Sequence, residues 1–293
     1  STSPPQPALS QMHRILVTGG NSGIGYALCK ILASQAEPAC HVLLGARSVT
    51  KGEEAVASIK AEDKDARVEF IELDVNSEAS VAAAAASVED GSLYAVVNNA
   101  GTGLAHNVEK ELIIETNVFG AKRVSDAFLP KISAGGRLVN LGSGAAQCYQ
   151  FGTADFLPKL DLIGCCPMEL RNKLWMDPTW DIIEEVLAKE VEGGWTNGGA
   201  MATYMCSKAL LGALTQIQAK ANPSLTVSVC TPGHISTKMT EGLGKGKTPE
   251  EGTVSARHCL FADITSGYFW GSDALRSPFH KGRDPGTPEY TGE

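Results

Sequence analysis

The amino-acid sequence predicts an α/β fold: a doubly wound parallel sheet with helices on both faces and one helical insertion. Two observations carry this prediction. From Arg14 onward, short β-branched or aliphatic runs alternate with stretches of helical spacing, which is typical of a parallel sheet covered by crossover helices. The chain has 293 residues, 43 % of them apolar, which is enough to bury a large core in one domain.

The predicted elements alternate in order along the chain. The predicted strands cover residues 15–18, 41–44, 68–73, 95–97, 137–141 and 225–229. The predicted helices cover residues 24–34, 52–61, 77–88, 108–132 and 201–219. We therefore expect a single domain over residues 14–293. It follows a flexible leader at residues 1–13, which is rich in Pro, Ser and Gln and lacks the apolar stretch of a secretory signal.

Two segments interrupt the alternation of strands and helices. Residues 148–199 carry one helix-like stretch, at 181–191, and little strand signal, so we predict a helical insertion there. Residues 279–293 are rich in Gly and Pro and predict an extended C-terminal tail. Apolar side chains of the insertion either pack its helix or wall a substrate pocket, and packing suits most of them better. They are Phe151, Phe156, Leu157, Leu160, Leu174, Trp175 and Trp180.

The composition argues against several classes of function. Lys and Arg number 25 against 33 Asp and Glu, and the formal net charge of -8 argues against binding nucleic acid or an anionic membrane. The longest apolar runs are far shorter than a transmembrane helix requires. The eight cysteines are scattered without metal-ligand spacing, so we expect neither a metal site nor a disulfide framework. A reducing, cytoplasmic location fits this use of cysteine.

A glycine-rich turn follows the first predicted strand and opens the first predicted helix. It reads Thr-Gly-Gly-Asn-Ser-Gly-Ile-Gly over residues 18–25. Glycines here let the backbone approach a pyrophosphate, whose charge the helix N-terminus favours. A plain turn is the alternative, but the strand–turn–helix context favours a Rossmann-type dinucleotide site. We expect contacts with the cofactor from Gly19, Asn21, Ser22, Gly23, Ile24 and Gly25.

The end of the second predicted strand indicates which dinucleotide is bound. An acidic residue at this place would hydrogen-bond the ribose 2′-hydroxyl of NAD and repel a 2′-phosphate. Residues 41–50 contain no acidic side chain, and Arg47 offers a planar guanidinium that can pair with a phosphate. The sequence therefore predicts NADP(H) as the cofactor, with a merely solvated Arg47 as the alternative.

Further motifs, in the same order along the chain, resemble those of the short-chain dehydrogenase/reductase family. The turn at 18–25 resembles the family's glycine loop, and Asn-Asn-Ala-Gly at 98–101 resembles its N-N-A-G stretch. Asp74 resembles the acid that contacts adenine after the third strand, and residues 232–237 resemble the P-G loop with its following Thr. The resemblance implies further cofactor contacts from Asp74, Val75, Asn99, Ala100, Gly101, Pro232, Gly233, Ile235 and Thr237, besides Tyr204 and Lys208.

The same resemblance implies four catalytic residues: Asn117, Ser143, Tyr204 and Lys208. Tyr204 and Lys208 match the Y-x-x-x-K pair, and a separation of four residues puts both on one face of a helix. A free phenol has a pKa near about 10, and a nearby ammonium lowers it, so Tyr204 would be the general acid in carbonyl reduction. Ser143, at a strand's carboxyl end, would donate a hydrogen bond to the substrate oxygen. The resemblance also implies that Lys208 holds the nicotinamide ribose and that Asn117 supports a water relay to it.

Two departures from the family pattern bear on the predicted cofactor specificity and on the predicted oligomeric state. Ser22 stands where many NADP-dependent relatives carry Lys or Arg, so specificity for NADP rests mostly on Arg47. Tyr204 lies 61 positions after the predicted catalytic serine, wider than usual, because the insertion at 148–199 separates them. Within this insertion, the stretch Cys-Pro-Met-Glu-Leu-Arg-Asn-Lys-Leu at 166–174 resembles the insertion of the monomeric carbonyl reductases. That insertion covers the surface other members use to oligomerise, so the resemblance implies a monomer.

The resemblance implies NADPH-dependent reduction of a hydrophobic ketone, aldehyde or quinone. The same residues also suit NADP-dependent oxidation of a secondary alcohol, such as a steroid or terpenoid, because the step is reversible. Ene-reduction, found among plant relatives of the subgroup, is a third possibility, which Tyr204 makes weaker. A non-catalytic NADP(H)-sensing regulatory protein is the alternative from another class, and the presence of both Tyr204 and Lys208 favours the enzyme.

Overall fold

The computed structural model of the protein describes residues 12–35, 37–103, 108–151, 166–194 and 199–292. Its strands are β1 (His13–Thr18), β2 (Cys40–Ala46), β3 (Val68–Glu72), β4 (Leu93–Asn98), β5 (Ile132–Leu141), β6 (Thr226–Cys230), β7 (Phe269–Trp270) and β8 (Arg276–Ser277). They form one sheet in the order β3-β2-β1-β4-β5-β6-β7-β8. All neighbours pair in parallel except β7 and β8, which are antiparallel. The predicted doubly wound sheet and its six predicted strands are confirmed.

Helices connect the strands and cover both faces of the sheet. They are α1 (Gly23–Ser34), α2 (Val49–Glu62), α3 (Glu78–Ala86), α4 (Lys110–Ile114), α5 (Ala121–Phe128), α6 (Ala145–Phe151), α7 (Met168–Met176), α8 (Trp180–Glu192), α9 (Gly199–Ala221) and α10 (Val254–Phe261). One π-helical turn, Glu115–Gly120, joins α4 to α5. The strand pair β7 and β8 escaped prediction because two residues per strand are too few to show a pattern.

The predicted helix over residues 108–132 is wrong in its extent. The segment instead contains α4, the π-helical turn, α5 and a short 3₁₀ turn, Leu129–Lys131, and β5 already begins at Ile132. Pro130 lies in that 3₁₀ turn, where its missing N–H and fixed φ stop the helix. The first half of β5 escaped prediction because Gly135 and Gly136 weaken the strand pattern.

The core lies on the two faces of the sheet, and β1 shows how neighbouring residues divide between them. Ile15 and Val17 are fully buried against α1, α2 and α10 on one face. Leu16, between them, is buried on the opposite face with Val81 of α3 and Phe128 of α5. A strand covered on both faces reads as a continuous apolar run, which is why the sequence shows no alternation here.

The described part of the insertion includes α7 and α8, which pack against α9. The predicted helix at 181–191 is confirmed as α8, and Thr179 caps its N-terminus by accepting a hydrogen bond from the backbone N–H of Ile182 at 3.3 Å. Ile183 and Val186 of α8 are buried in one cluster with Leu210 of α9. The insertion is therefore an integral part of the core around the longest helix of the described chain.

Three of the seven apolar insertion residues singled out above pack within the described structure. Leu174 is buried, Trp175 stacks on His280 with ring centroids 4.4 Å apart, and Trp180 meets Phe119 edge to face at 5.9 Å. The packing interpretation suits these three. The side chain of Phe151 and the residues Phe156, Leu157 and Leu160 lie outside the described residues.

Both ends of the chain differ from the expectation in one respect. Of the predicted leader, only Met12 and His13 lie in the described residues, and His13 already belongs to β1, where its backbone N–H donates to the Ala39 carbonyl. The tail from 279 lacks regular secondary structure but folds back on β8, because the Tyr290 N–H donates to the Arg276 carbonyl at 3.1 Å. Within the described residues, no helix has the length and apolar character needed to cross a membrane.

Candidate active site

The predicted site residues gather where four central strands end. The glycine turn follows β1, residues 99–103 follow β4, Gly142 and Ser143 follow β5, and the Pro-Gly loop follows β6. Because β1, β4, β5 and β6 are parallel neighbours, their carboxyl ends share one edge of the sheet, at the place where ligands bind in open α/β folds. Residues distant in the sequence thereby lie at the edge of the sheet where we expect the cofactor cleft.

The glycine turn is braced from the neighbouring strand. The Asn99 side-chain amide donates to the carbonyls of Thr18 at 2.7 Å and Gly19 at 3.2 Å, and the Thr18 hydroxyl accepts from the N–H groups of Asn99 and Ala100. A Cβ added at Gly25 would lie 2.4 Å from both the Asn99 amide nitrogen and the Gly19 carbonyl oxygen. Gly19 has φ +65°, which favours glycine. The role of Thr18 as a brace was not predicted.

The start of α1 fits a dinucleotide. Ser22, the N-cap residue, makes no side-chain capping bond, and the first turn contains no acidic side chain, so the first N–H groups can receive a phosphate. Asn21 and Ser22 lie in the turn, and Ile24 points inward against the core. A Cβ built on Gly23 would lie 3.5 Å from the Thr237 methyl group, so the Pro-Gly loop reaches the same helix terminus.

The predicted adenine end of the cleft is more open. Arg47, just after β2, is exposed, and among the described residues it makes no hydrogen bond or ion pair. Asp74 accepts a hydrogen bond from the N–H of Asn76 at 3.0 Å, and the Val75 carbonyl accepts one from the Arg123 guanidinium at 2.6 Å. Asp74 therefore shapes its own turn, and Arg47 is left for a ligand.

Three of the four predicted catalytic residues come together. Ser143 lies close enough to Tyr204 for its side chain to lower the pKa of the phenol, although the two residues are 61 positions apart in the sequence. Lys208, one turn further along α9, donates from Nζ to the Leu141 carbonyl at 2.8 Å, and Nζ lies 5.8 Å from the centroid of the Tyr204 ring. Both α9 residues are buried. The hydrogen bond to the Leu141 carbonyl thus holds the ammonium in place beside the phenol.

The fourth residue, Asn117, is buried in the π-helical turn, and its side chain makes three hydrogen bonds. Its Oδ1 accepts from the Thr102 N–H at 2.8 Å, and its Nδ2 donates to the Thr102 carbonyl at 2.9 Å and to the Ser207 hydroxyl at 3.0 Å. Gly101 lies beside it: a Cβ there would be 3.2 Å from Asn117 Oδ1 and 3.6 Å from Lys208 Nζ. Both side-chain N–H groups of Asn117 are already used by the protein.

Burial shifts the pKa values of the two ionisable groups in opposite directions. The pKa of Tyr204 is raised above its usual value because burial disfavours the phenolate, and the nearby Ser143 side chain counters this only in part. Burial lowers the pKa of Lys208 to about 8. The prediction that the Lys208 ammonium lowers the pKa of Tyr204 is wrong, because burial raises this pKa and only Ser143 acts against it. At neutral pH the phenol is protonated and the amine is mostly charged.

Two glycines, one in the loop after β4 and one in the Pro-Gly loop after β6, have positive φ angles. The first of them was not predicted as a site residue. Gly233 after Pro232 has φ +84°, while Ile235 is buried against Gly252. Gly103 has φ +129°, and a Cβ there would lie 2.7 Å from a ring carbon of Tyr204. The signal for Gly103 was present in the sequence, because it follows the Asn-Asn-Ala-Gly motif by two residues.

Among the residues that the structure describes, no group of three or more His, Cys, Asp or Glu side chains is placed to hold a metal ion. His234, in the Pro-Gly loop, is exposed and lies 3.4 Å from the Gly244 carbonyl oxygen through Nε2.

Comparisons with known proteins agree with this geometry. A family model described as short chain dehydrogenase matches residues 13–155. The chain is 30 % identical to Carbonyl reductase (NADPH) 1 of Homo sapiens, over 83 % of this chain and 88 % of that protein. It is also 30 % identical to (+)-neomenthol dehydrogenase of Arabidopsis thaliana, over 87 % of this chain and 94 % of that protein. The solved structure of salutaridine reductase from Papaver somniferum superposes with a TM-score of 0.70 at 27 % identity, covering 88 % of this chain and 99 % of that one.

The chain therefore belongs to the short-chain dehydrogenase/reductase family. It is an oxidoreductase of a family that uses a nicotinamide cofactor, and the predicted resemblance to carbonyl reductases is confirmed.

Proposed function

We propose that the protein is an NADPH-dependent carbonyl reductase. The observation that carries the proposal is the placement of Tyr204 and Lys208, both buried, on one helix, with Nζ of Lys208 5.8 Å from the centroid of the Tyr204 ring and Ser143 near the phenol. A raised Tyr204 pKa keeps the phenol protonated at neutral pH, which is the form a general acid needs for reduction. The reverse reaction needs a phenolate, which burial disfavours.

The residues divide the work on a bound carbonyl compound. A bound NADPH would supply the hydride that attacks the carbonyl carbon. As negative charge develops on the substrate oxygen, Ser143 donates a hydrogen bond to it and Tyr204 transfers its phenolic proton to it. Lys208 keeps a positive charge near the phenol, so that the phenolate left after proton transfer is stabilised. We assign Asn117 to the support of this group rather than to proton transfer through its side chain, because its two N–H groups are engaged.

The cofactor would lie along the carboxyl edge of the sheet. We propose that its pyrophosphate meets the glycine turn and the start of α1, and that Asp74 and Val75 lie beside the adenine. The Asn-Ala-Gly stretch at 99–101 and the Pro-Gly loop would flank the nicotinamide half. The exposed Arg47 would pair with the 2′-phosphate, because its guanidinium has no partner in the described residues. A relative named Carbonyl reductase (NADPH) 1 supports NADPH.

We propose a hydrophobic ketone, aldehyde or quinone as the substrate. The relative named Carbonyl reductase (NADPH) 1 supports a carbonyl compound as the substrate. We propose that the protein works as a monomer. Trp180 of the insertion packs on Phe119 and thereby covers the π-helical turn, and the centroid of its ring lies 5.1 Å from Lys122 Nζ. A cytoplasmic location stays a prediction.

The test is a titration followed by a substrate panel. Protein fluorescence is titrated with NADPH and NADH, and NADPH oxidation is then measured with quinones, aromatic aldehydes, steroid ketones and terpenoid ketones. We expect tighter binding of NADPH and turnover of an apolar carbonyl class. Equal affinity for NADH would overturn the cofactor assignment, and binding without any turnover would favour the NADP(H)-sensing alternative.

Oxidation of a secondary alcohol is the second candidate, favoured by the relative named (+)-neomenthol dehydrogenase. It needs deprotonated Tyr204, so its rate should rise with pH, whereas reduction should fall once Lys208 loses its proton above about pH 8. The rates of reduction and of oxidation, each measured between about pH 6 and 10, distinguish the two candidate functions. An oxidative rate that exceeds the reductive rate at neutral pH would contradict the proposal.

A further inference from the structure

Ser207 occupies a place on α9 that the sequence did not single out. It lies between Tyr204 and Lys208 in the chain and is 0 % exposed. Its hydroxyl accepts a hydrogen bond from Asn117 Nδ2 at 3.0 Å and donates one to the Tyr204 carbonyl at 2.7 Å. One buried hydroxyl therefore joins the side chain of one predicted catalytic residue to the backbone of another.

The hydrogen bonds around Ser207 continue into the loop after β4. Asn117 holds Thr102 through both the N–H and the carbonyl of that residue. The next residue, Gly103, packs so closely on the Tyr204 ring that an added Cβ would lie 2.7 Å from it. Ser207, Asn117, the loop and Tyr204 thus form a closed ring of contacts, in which the position of the loop depends on the orientation of the Asn117 amide.

We propose that Ser207 is a positioning residue for the reaction: its hydroxyl fixes the Asn117 amide and, through it, the 101–103 loop against Tyr204 and Lys208. This inference rests on the proposed carbonyl reductase function. Without the hydroxyl, one N–H of Asn117 would be buried without a partner, which is unfavourable, so the amide would turn or shift. Thr102 would then lose a defined partner, and the surroundings of the Tyr204 ring and Lys208 would loosen.

A second hydroxyl on the same helix offers a matched control. Thr215 is also 0 % exposed, accepts from the amide of a buried asparagine, Asn140, at 2.9 Å, and donates to the Leu211 carbonyl at 2.8 Å. It lies eight residues further along α9, about 12 Å at helical rise, and its asparagine also bonds Gln218. The two sites have the same chemistry, and only Ser207 touches the predicted catalytic group.

The kinetic test compares Ser207→Ala, Ser207→Thr and Thr215→Val with the unchanged protein. We expect Ser207→Ala to lower kcat about tenfold with the KM for NADPH and for the carbonyl substrate changed less than about twofold, because misplaced groups slow the reaction without removing binding contacts. Ser207→Thr, which keeps the hydroxyl, should recover most of the rate. Thr215→Val should lower the melting temperature and leave kcat unchanged. An unchanged kcat in Ser207→Ala, or an equal loss in Thr215→Val, would overturn the inference.

Amide hydrogen exchange at Thr102 provides a measurement that does not depend on turnover. We expect faster exchange at Thr102 in Ser207→Ala, by about tenfold or more, and no change there in Thr215→Val. Unaltered exchange in Ser207→Ala would refute the positioning role even if activity fell. If the unchanged protein reduces no carbonyl compound, the proposed function fails, while exchange at Thr102 still decides whether Ser207 holds Asn117. Should Ser207→Thr fail to fold, the comparison of Ser207→Ala with Thr215→Val remains decisive.

Discussion

The two ends of the proposed cofactor cleft are built in different ways. At the proposed catalytic end, Tyr204 and Lys208 are buried, Ser143 lies near the phenol, and the Leu141 carbonyl accepts a hydrogen bond from Lys208. At the adenine end, Arg47 is exposed and has no partner in the described part of the chain. The first end is ordered by the fold, whereas the second can be ordered only by what it binds.

This difference has an energetic consequence. Removing Lys208 from water disfavours its ammonium, and its pKa falls from 10.5 to about 8, so the folded protein carries a charge that weakens its stability at neutral pH. Arg47 remains solvated, so the folded state loses nothing by carrying its charge. The burial of Lys208 thus lowers the stability of the folded protein at one end of the proposed cleft. The exposed Arg47 at the other end has no such effect.

The largest expected effect comes from Tyr204→Phe at the buried end. Loss of the phenolic proton donor should lower kcat by about 10²- to 10⁴-fold, while NADPH affinity stays within about twofold. Steady-state rates and fluorescence titration measure the two quantities. Tyr149→Phe is the matched control, because Tyr149 is also buried and its hydroxyl donates to Glu190 Oε1 of α8 at 2.7 Å rather than to a predicted site residue. It should lower the melting temperature and keep kcat; equal activity loss in both variants would contradict the assignment.

The next effect is on stability, through Lys208→Met. Removing a buried ammonium should raise the free energy of unfolding at pH 7 by on the order of 1–3 kcal/mol, even though the reaction loses a needed group. Lys220→Met is the control on the same helix: Lys220 is exposed and pairs with Asp177 at 3.0 Å, so its loss should change stability by less than about 0.5 kcal/mol. Urea unfolding measures both. If the Lys208→Met protein were less stable, burial would not be the cause of the lowered pKa of the Lys208 amine.

The same lysine predicts a pH dependence. Between about pH 8 and 10.5 the unfolded chain binds the Lys208 proton and the folded protein does not, so stability should rise with pH across this window. Below about pH 8 both states are protonated, and this contribution to the slope should vanish. Lys208→Met should remove the rise, and a wild-type curve identical to that of the variant would speak against the lowered pKa.

The last prediction concerns the exposed end. Arg47→Ala should weaken NADPH binding by about 10- to 100-fold, because a charge-assisted bidentate pair with the 2′-phosphate is lost, and NADH binding should stay within about twofold. Lys64→Ala removes the same charge from an exposed position beyond the other end of α2 and should change neither affinity. Equal losses for NADPH and NADH in Arg47→Ala would place the arginine elsewhere than at the 2′-phosphate.

Local patterns made the fold and much of the candidate site predictable. The glycine turn, the strand ends and the four-residue spacing of Tyr204 and Lys208 are short-range signals, because backbone sterics and helical periodicity act over a few residues. Pro130 and the two-residue strands limited the prediction, because a helix end or a strand that depends on packing leaves little trace in the pattern.

The sequence by itself determined the order of strands and helices, the glycine turn, the apolar faces of the sheet and the identity of the candidate catalytic residues. Tertiary structure decided what joins distant segments: the closeness of Ser143 to Tyr204, the hydrogen bonds of Asn117 to Thr102 and Ser207, and the burial of Lys208. The direction of a pKa shift follows from these contacts and from burial, which are properties of the packed molecule. Periodicity fixes which face of an element turns inward, but only packing fixes what that face meets.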